Sequence, residues 1–317
     1  MGKRKVGVLV MSYGTPRSME EIEPYYTHIR RGHPPSEEQL QELTERYEAI
    51  VGGVFPLREH TDRQVQGLQR MLDRAAEGTD VQYVCYQGLK HVDPFIEDGI
   101  AAMAQNGIRE AVSVVLAPHY SVMSVGSYNK RAQEAAEKRD IALKCVNSYH
   151  LHPDLLDALT ERVQEQLDAY VSEGVSREKV EVLFSAHSLP ARILEMNDPY
   201  PDELNATASA IAERCGLKEG QWRFTWQSAG RTAAPWLGPD ILDTLDALRQ
   251  EGVKHVLSAP IGFVSDHLEV LYDLDIEATQ SAERMNMNFK RIRMLNDDPK
   301  YMSALADVVM KLNQLGA

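Results

Sequence analysis

The chain is poor in cysteine. The three it has, Cys85, Cys145 and Cys215, are widely spaced and form no CxxC pair. An odd number of scattered thiols excludes a disulfide scaffold and is the pattern of reduced, mostly buried cysteines in a cytosolic protein. Three cysteines also cannot supply the four thiolates of an iron–sulfur cluster. Long apolar runs are missing too, since no stretch approaches the ~20 residues of a membrane span. The opening MGKRKVGVLVMSYG has the charge of a signal peptide, but its apolar run is short and leads into Ser12-Tyr13-Gly14-Thr15-Pro16, so a first core strand is expected. Basic charge is scarce: 34 Lys and Arg stand against 47 Asp and Glu, a formal net charge of −13. A nucleic-acid binder wants the opposite balance, whereas an acidic chain suits capture of a cation. GxGxxG and GxxxxGK[ST] are absent, which removes the usual phosphate cradles. Without a GxSxG elbow, Ser185 and Ser188 lack the setting of a serine nucleophile.

What is present is alternation. Eight apolar, β-branched runs cover 6–14, 81–88, 111–120, 141–150, 180–188, 222–230, 255–263 and 290–296, with helical patterns between them. Near-continuous apolar strands alternating with helices predict parallel sheets covered on both faces. Capping boxes at Ser18…Glu21, Ser36…Gln39 and Thr61…Gln64 are expected to start helices. A length of 317 residues suits about two domains.

The runs divide four and four, and the halves rhyme. MSYG answers FSAHS, YQG answers WQSAG, and VLAP answers VLSAP. With Gln87, Pro118 and His150 as markers the first-half spacings are 31 and 32 residues; with Gln227, Pro260 and Asn296 the second-half spacings are 33 and 36. Two similar doubly wound α/β domains are therefore expected, each with a four-stranded parallel sheet, facing across a central cleft. Their boundaries are 1–150 and 151–296, with a C-terminal helix at 297–317. The first half takes 74 residues from Tyr13 to Gln87, the second only 40 from His187 to Gln227. The difference predicts an inserted helix pair at about 15–55, at the carboxyl end of a strand, where α/β folds place binding parts.

The stretch LFSAHSLP delivers His187 from a strand into a small-residue turn. A lone histidine there is more often a solvated surface side chain. Here the alignment makes His187 and Tyr13 counterparts on the two walls of the expected cleft. The stretch GFVSDHLEVLYDLDIE adds Asp266, Glu269, Asp273 and Glu277, which span about 80° of a helix; the last three, spaced by four, would align better still in a π-turn. A charge run is usually a solvated face, yet no lysine or arginine lies between 255 and 283. Like charges at i, i+4 repel, so a cation is expected to offset them, and a hydrated divalent ion fits oxygen ligands of this kind. His187 and Glu269 are too few for a closed zinc site but suit an open one that holds a metal briefly and moves protons. Opposite them, Arg30, Arg31, Arg46, Lys90 and His91 offer cations for carboxylates. Tyr13, Tyr25, Tyr26, Tyr47, Tyr128 and Trp236 offer aromatic faces. A flat, aromatic polycarboxylate is the simplest ligand that meets all three.

SAHSLP, WQSAGRTAAPWLGP and FVSDHLEVLYDLDIE resemble the signatures of the ferrochelatase family in order and spacing, and the resemblance runs from GVLVMSYGTP to RIRMLND and the final helix. MSYGTP, YYTHIRRG, RYEAI, GLKHVDPFIED and SYNKRA are similar to the soluble Gram-positive branch that acts on coproporphyrin III. The resemblance implies a flavodoxin-like, chelatase-type fold and insertion of Fe²⁺ into a porphyrin. No tightly bound cofactor and no iron–sulfur cluster are implied, since a cysteine-bearing C-terminal extension is lacking. His187 and Glu269 would be the inner iron-site residues, with Asp273 and Glu277 continuing an outer metal path. Tyr13 would be an axial ligand in the product. Arg30, Arg46, Tyr47 and Tyr128 would contact the porphyrin and its propionates. One loop departs: Phe55 stands where a serine is usual, with an extra residue near Val51, so substrate positioning there does not carry over. A soluble cytoplasmic monomer is expected. Two other readings remain open at this point: a chelatase for another tetrapyrrole or metal, such as sirohydrochlorin and cobalt, and a non-catalytic porphyrin or haem carrier, which has no use for an acidic metal path.

Overall fold

Strand β1 (Arg4–Ser12) shows why the sheets are parallel. After two exposed residues, seven in a row are buried, with no alternation, because helices cover both of its faces. Strand β5 (Val180–His187) repeats the pattern, seven buried residues and then the half-buried His187. The computed structural model describes residues 3–51, 55–230 and 232–315.

Two units are distinct: one takes the chain up to Tyr149 and again from Asn296, the other runs from His150 to Leu295. The first holds a sheet of order β2-β1-β3-β4, with β2 (Val81–Leu89), β3 (Glu110–Val115) and β4 (Ala142–Cys145). The second holds β6-β5-β7-β8, with β6 (Trp222–Gln227), β7 (His255–Ala259) and β8 (Asn288–Arg291). Every strand pair is parallel. In each sheet the order reverses beside the first strand, and ligands bind such sheets outside the carboxyl ends at that switch point. Tyr13 follows the end of β1 and His187 ends β5.

The two inserted helices are α1 (Ile22–Ile29) and α2 (Glu37–Val51). Helix α2 is started by the Ser36 capping box: Gln39 N–H donates to Ser36 Oγ at 3.2 Å, and Ser36 N–H to Gln39 Oε1 at 3.0 Å. The other two expected boxes do not form. Met19–Glu21 is a single 3₁₀ turn, and Glu21 accepts the Arg17 N–H at 2.8 Å instead. Thr61 lies inside α3 (Pro56–Ala75), where its hydroxyl donates to the Leu57 carbonyl at 2.8 Å. Pro56, with φ already helical, starts that helix five residues earlier.

Seven of the eight strands end earlier than their apolar runs, β2 being the exception. Tyr13, Pro118, His150 and Asn296 all lie beyond the ladders, and β8 begins at Asn288, ahead of its run. Ile292, Met294 and Leu295 are buried as coil, so hydrophobicity there reports packing and not pairing. Gln87 and Gln227 are not equivalent in register: Gln87 pairs with Val10, Gln227 with His187.

The C-terminal helix, Pro299–Gln314, packs on α3 and β3 of the first unit. Gly67 leaves room for Met302, whose Sδ would lie 3.0 Å from an added Cβ. Lys144 Nζ caps its last carbonyls, those of Leu312, Asn313 and Leu315, at 3.0–3.3 Å, the favourable charge for a helix C-terminus. In the second unit, the helix Pro153–Ser172 buries Tyr170, whose hydroxyl lies 2.8 and 3.0 Å from the carbonyls of Val256 and Asn288. The three cysteines are free, and burial pushes the Cys85 thiol up to about 12 and Cys215 to about 11, so neither is a nucleophile at neutral pH.

Candidate active site

His187 is held from three sides at the carboxyl end of β5. Its Nδ1–H donates to the Ser188 carbonyl, its own carbonyl accepts the Tyr200 hydroxyl at 3.1 Å, and its Nε2 lies 3.4 Å from Glu269 Oε1. The Nδ1 bond fixes the tautomer, so Nε2 is the nitrogen that works. Glu269 sits on a short helical turn, Leu268–Leu271. Its second oxygen is 3.6 Å from His267 Nε2, and His267 donates Nδ1–H to the Ser265 carbonyl at 2.9 Å. Gln227, fully buried, ties strand to turn. Its amide donates to the Glu269 carbonyl at 3.1 Å, and its Oε1 accepts from Ser185 at 2.9 Å.

The electrostatics follow from this placement. Burial alone would lower the His187 pKa, but the adjacent Glu269 carboxylate outweighs it and lifts the imidazole to about 9. Burial acts to raise Glu269, yet His187 and then His267 hold it far below the carboxylate range. At neutral pH the pair is imidazolium and carboxylate. Such a pair can pass a proton through Nε2 and, once that proton has left, present N and O donors to a cation.

After Tyr272 the helix widens into a π segment, Asp273–Ala278. The Glu277 N–H reaches the Tyr272 carbonyl at 3.0 Å, and the Thr279 hydroxyl takes up the Leu274 carbonyl at 2.9 Å. Glu269, Asp273 and Glu277 thus share a segment whose wider turn suits their spacing. Asp273 is buried and accepts from Ser228, a residue with left-handed backbone at φ 59. Glu277 is half-buried. Asp266 leaves the stripe: it precedes the helical turn, and Arg291 binds it with Nη2 3.3 Å from Oδ1. Among the described residues, no three or more His, Cys, Asp or Glu side chains are already gathered to hold a metal ion.

Aromatic rings border His187. Trp236 and Phe263 each lie 6.4 Å from it, centre to centre, and Phe263 is 4.7 Å from His267. Trp236 Nε1 donates to Thr232 at 2.8 Å, and its ring lies over Gly230, where an added Cβ would meet Cζ2 at 2.3 Å. Gly230→Ala is therefore expected to push Trp236 away from His187. The KM for substrate should rise several-fold with the unfolding midpoint little changed, a combination checked by paired kinetics and thermal melts.

The first unit gathers the remaining candidates into two groups. Tyr13 is 42% exposed, and its ring is 4.5 Å from His91 and 6.5 Å from Tyr25. His91 is 3.0 Å from His28, Nδ1 to Nδ1. Burial, then Lys90, His28 and Arg131, drive the His91 pKa down to about 3, so this imidazole is neutral. Lys90 donates to Ser127 at 2.9 Å and lies 4.7 Å over the buried Tyr128 ring. Burial and Arg131 lower it to about 8, so it stays mostly charged near neutral pH, and a carboxylate ligand would raise its pKa again. The second group is on the insertion. Arg30 caps α1, with Nε donating to the His33 carbonyl at 3.2 Å and its guanidinium 5.7 Å from the Tyr26 ring. Arg31 is exposed at φ 58, and Arg46 lies 3.6 Å from Glu42. Tyr47 is buried, 3.4 Å from the Thr15 hydroxyl and with its ring 4.9 Å from Phe55. Phe55 is itself buried at the start of α3. The extra residue near Val51 falls among residues 52–54, outside those described.

His267, Gln227, Ser228, Tyr200 and Phe263 were not singled out from the sequence. His267 and Phe263 lie within the quoted acidic stretch, and Gln227 served only as a spacing marker. Gln227, Ser228 and Phe263 act through contacts with segments 40 or more residues away, Tyr200 through one 13 residues away, and His267 through its near neighbour Glu269.

Residues 5–312 match the family model described as Ferrochelatase. The chain belongs to the ferrochelatase family. It is 46% identical to "Coproporphyrin III ferrochelatase" of Geobacillus sp. (strain WCH70) and likewise 46% identical to the protein of that name from Bacillus subtilis (strain 168), in both cases over 98% of this chain and 99% of the relative. It is 45% identical to "Ferrochelatase" of Herpetosiphon aurantiacus over 96% of this chain and 98% of that one. Among solved structures, SirB from Bacillus subtilis with Fe³⁺ aligns over 98% of this chain and 96% of its own, at a TM-score of 0.56 and 12% identity, a likeness of fold. Membership in a family of chelatases gives the His187–Glu269 pair a chemical context. Among the described residues, no helix is long and apolar enough to cross a membrane.

Proposed function

We propose that this enzyme inserts Fe²⁺ into coproporphyrin III, giving Fe-coproporphyrin III and two protons, in haem biosynthesis. It would work in the cytoplasm as a monomer with no tightly bound cofactor. The observation that carries the reading is the His187–Glu269 pair, an imidazole with its tautomer locked and Nε2 facing a carboxylate at 3.4 Å. The names of the relatives at 46% identity support the choice of porphyrin.

Two N–H protons must leave the macrocycle and waters must leave the ion. Asp273 and Glu277 lead the hydrated ion toward Glu269, as oxygen donors suited to a loosely held cation. A dication at Glu269 cancels the charge that holds the His187 proton, so the imidazole releases it and Nε2 becomes free to accept one from a pyrrole. The inserted helices α1 and α2 clasp the ring, and Arg30, Arg31, Arg46 and Lys90 receive its carboxylates. His91, Tyr47, Phe55, Tyr128 and Trp236 line its faces and rim. Binding energy from the remote carboxylates offsets puckering of the ring, which exposes the nitrogen lone pairs. Tyr13, an exposed phenol, serves as an axial ligand to iron in the product.

The test is anaerobic mixing of the protein with coproporphyrin III and Fe²⁺, followed in the visible spectrum. Rapid conversion to the iron complex is the expected result. Tight binding without conversion would overturn the reading in favour of a carrier. Faster metallation of sirohydrochlorin by cobalt or iron would assign a different tetrapyrrole.

A further inference from the structure

Arg291, on the edge strand β8, is aimed at the back of the acidic segment. Its Nε and Nη2 reach both oxygens of Asp275, at 2.6 and 2.8 Å. Nη2 also lies 3.3 Å from Asp266, and Nη1 donates to the Ile292 carbonyl at 2.8 Å. The side chain is only 14% exposed. Asp266 precedes the turn that carries Glu269, and Asp275 lies within the π segment that carries Asp273 and Glu277. One guanidinium therefore fastens both ends of a ten-residue stretch to the sheet. On an ideal helix Asp275 would lie about 160° from the centre of the Glu269–Asp273–Glu277 stripe. Holding Asp275 back turns the other three carboxylates forward.

The contact also answers a repulsion. Residues 266–277 carry five carboxylates and no lysine or arginine. His187 and His267 attend Glu269, Ser228 attends Asp273, and Arg291 neutralises the two carboxylates that face away. Without it, Asp266 and Asp275 would compete with the stripe for any arriving cation.

We propose that Arg291 is a positioning residue for metal delivery, setting the rotation of the π segment so that Asp273 and Glu277 face the ion's route to Glu269. The inference rests on the reading of that stripe as a metal path. A planar fork is required, because only a bidentate grip resists rotation of the segment about its axis.

Three variants test it: Arg291→Lys, which keeps the charge but loses the fork, Asp275→Asn, which loses the carboxylate at the other end, and Asp273→Asn on the stripe itself. Each is assayed anaerobically for KM of Fe²⁺ and KM of coproporphyrin III, with thermal unfolding in parallel. Partners outside the ligand shell typically cost 10–100-fold in metal affinity or activity. Arg291→Lys and Asp275→Asn are expected to raise the KM for Fe²⁺ roughly tenfold, with the KM for porphyrin within about twofold of wild type. A purely structural role would lower the unfolding midpoint and leave the metal KM alone. That result, with Asp273→Asn still raising the metal KM, would overturn the clamp and leave the stripe reading standing. An Asp273→Asn enzyme with unchanged metal KM would remove both. If Arg291→Lys does not fold, Asp275→Asn decides by the same criteria.

Discussion

His187→Ala is expected to slow iron insertion by about 10²–10⁴-fold, the range for loss of a positioned proton acceptor, with porphyrin affinity changed by less than a few-fold. The fold should survive. The β5–β6 ladder at His187 is main-chain pairing with Gln227, which alanine keeps, and the imidazole is about one-third exposed, at 32%. Glu269 would retain His267 on its second oxygen. Single-turnover mixing under anaerobic conditions separates the chemical step from binding. Near-normal turnover in this variant would remove His187 from the mechanism.

Glu269→Gln carries the second large effect, and its signature is a pH dependence. In the wild type Glu269 overrides the burial that would otherwise depress His187 and lifts it to about 9. With the charge gone, burial is opposed only by the Ser188 carbonyl bond and the Asp273 carboxylate, and the imidazole pKa should fall well below its wild-type value. The stability sign follows from linkage. The raised His187 pKa contributes stability that is complete below pH 6.5 and is lost as pH rises through about 9. The depressed Glu269 pKa contributes stability that is complete above pH 4.5 and is lost as pH falls through its folded value. Both are complete only between about 4.5 and 6.5. The melting difference between wild type and Glu269→Gln should therefore be largest near pH 6 and shrink by pH 9.5. An equal difference at the two pH values would show that the pair is not charged. On the proposed mechanism turnover should fall by at least tenfold, as the variant loses an oxygen donor for the ion and the charge that sets the His187 pKa.

Much of the architecture was legible before any coordinates. Seven of the eight apolar runs contain most of a strand, and the eighth holds half of β8, because a strand buried on both faces has to be apolar throughout. The Ser36 box was legible because its two hydrogen bonds close within three residues. The Thr61 box was not a start, since Pro56 upstream had already begun the helix. Strand ends were misread where buried coil is as apolar as the ladder, as at Ile292–Leu295.

The site divides along the same line. The periodicity of Glu269, Asp273 and Glu277 and the placing of His187 at a strand end are local properties of the chain, and the sequence by itself determined them. Which partner each carboxylate of this segment takes was decided by tertiary structure. Gln227 joins β5 to the turn of Glu269, His267 takes the second oxygen, and Arg291 withdraws Asp266 and Asp275 to the sheet. Those contacts join residues brought together by strand order and register. Ion pairs and hydrogen bonds act over a few ångströms of space and carry no signature in sequence spacing. Only the folded sheet could bring one guanidinium to Asp266 and Asp275 and set Glu269 beside His187.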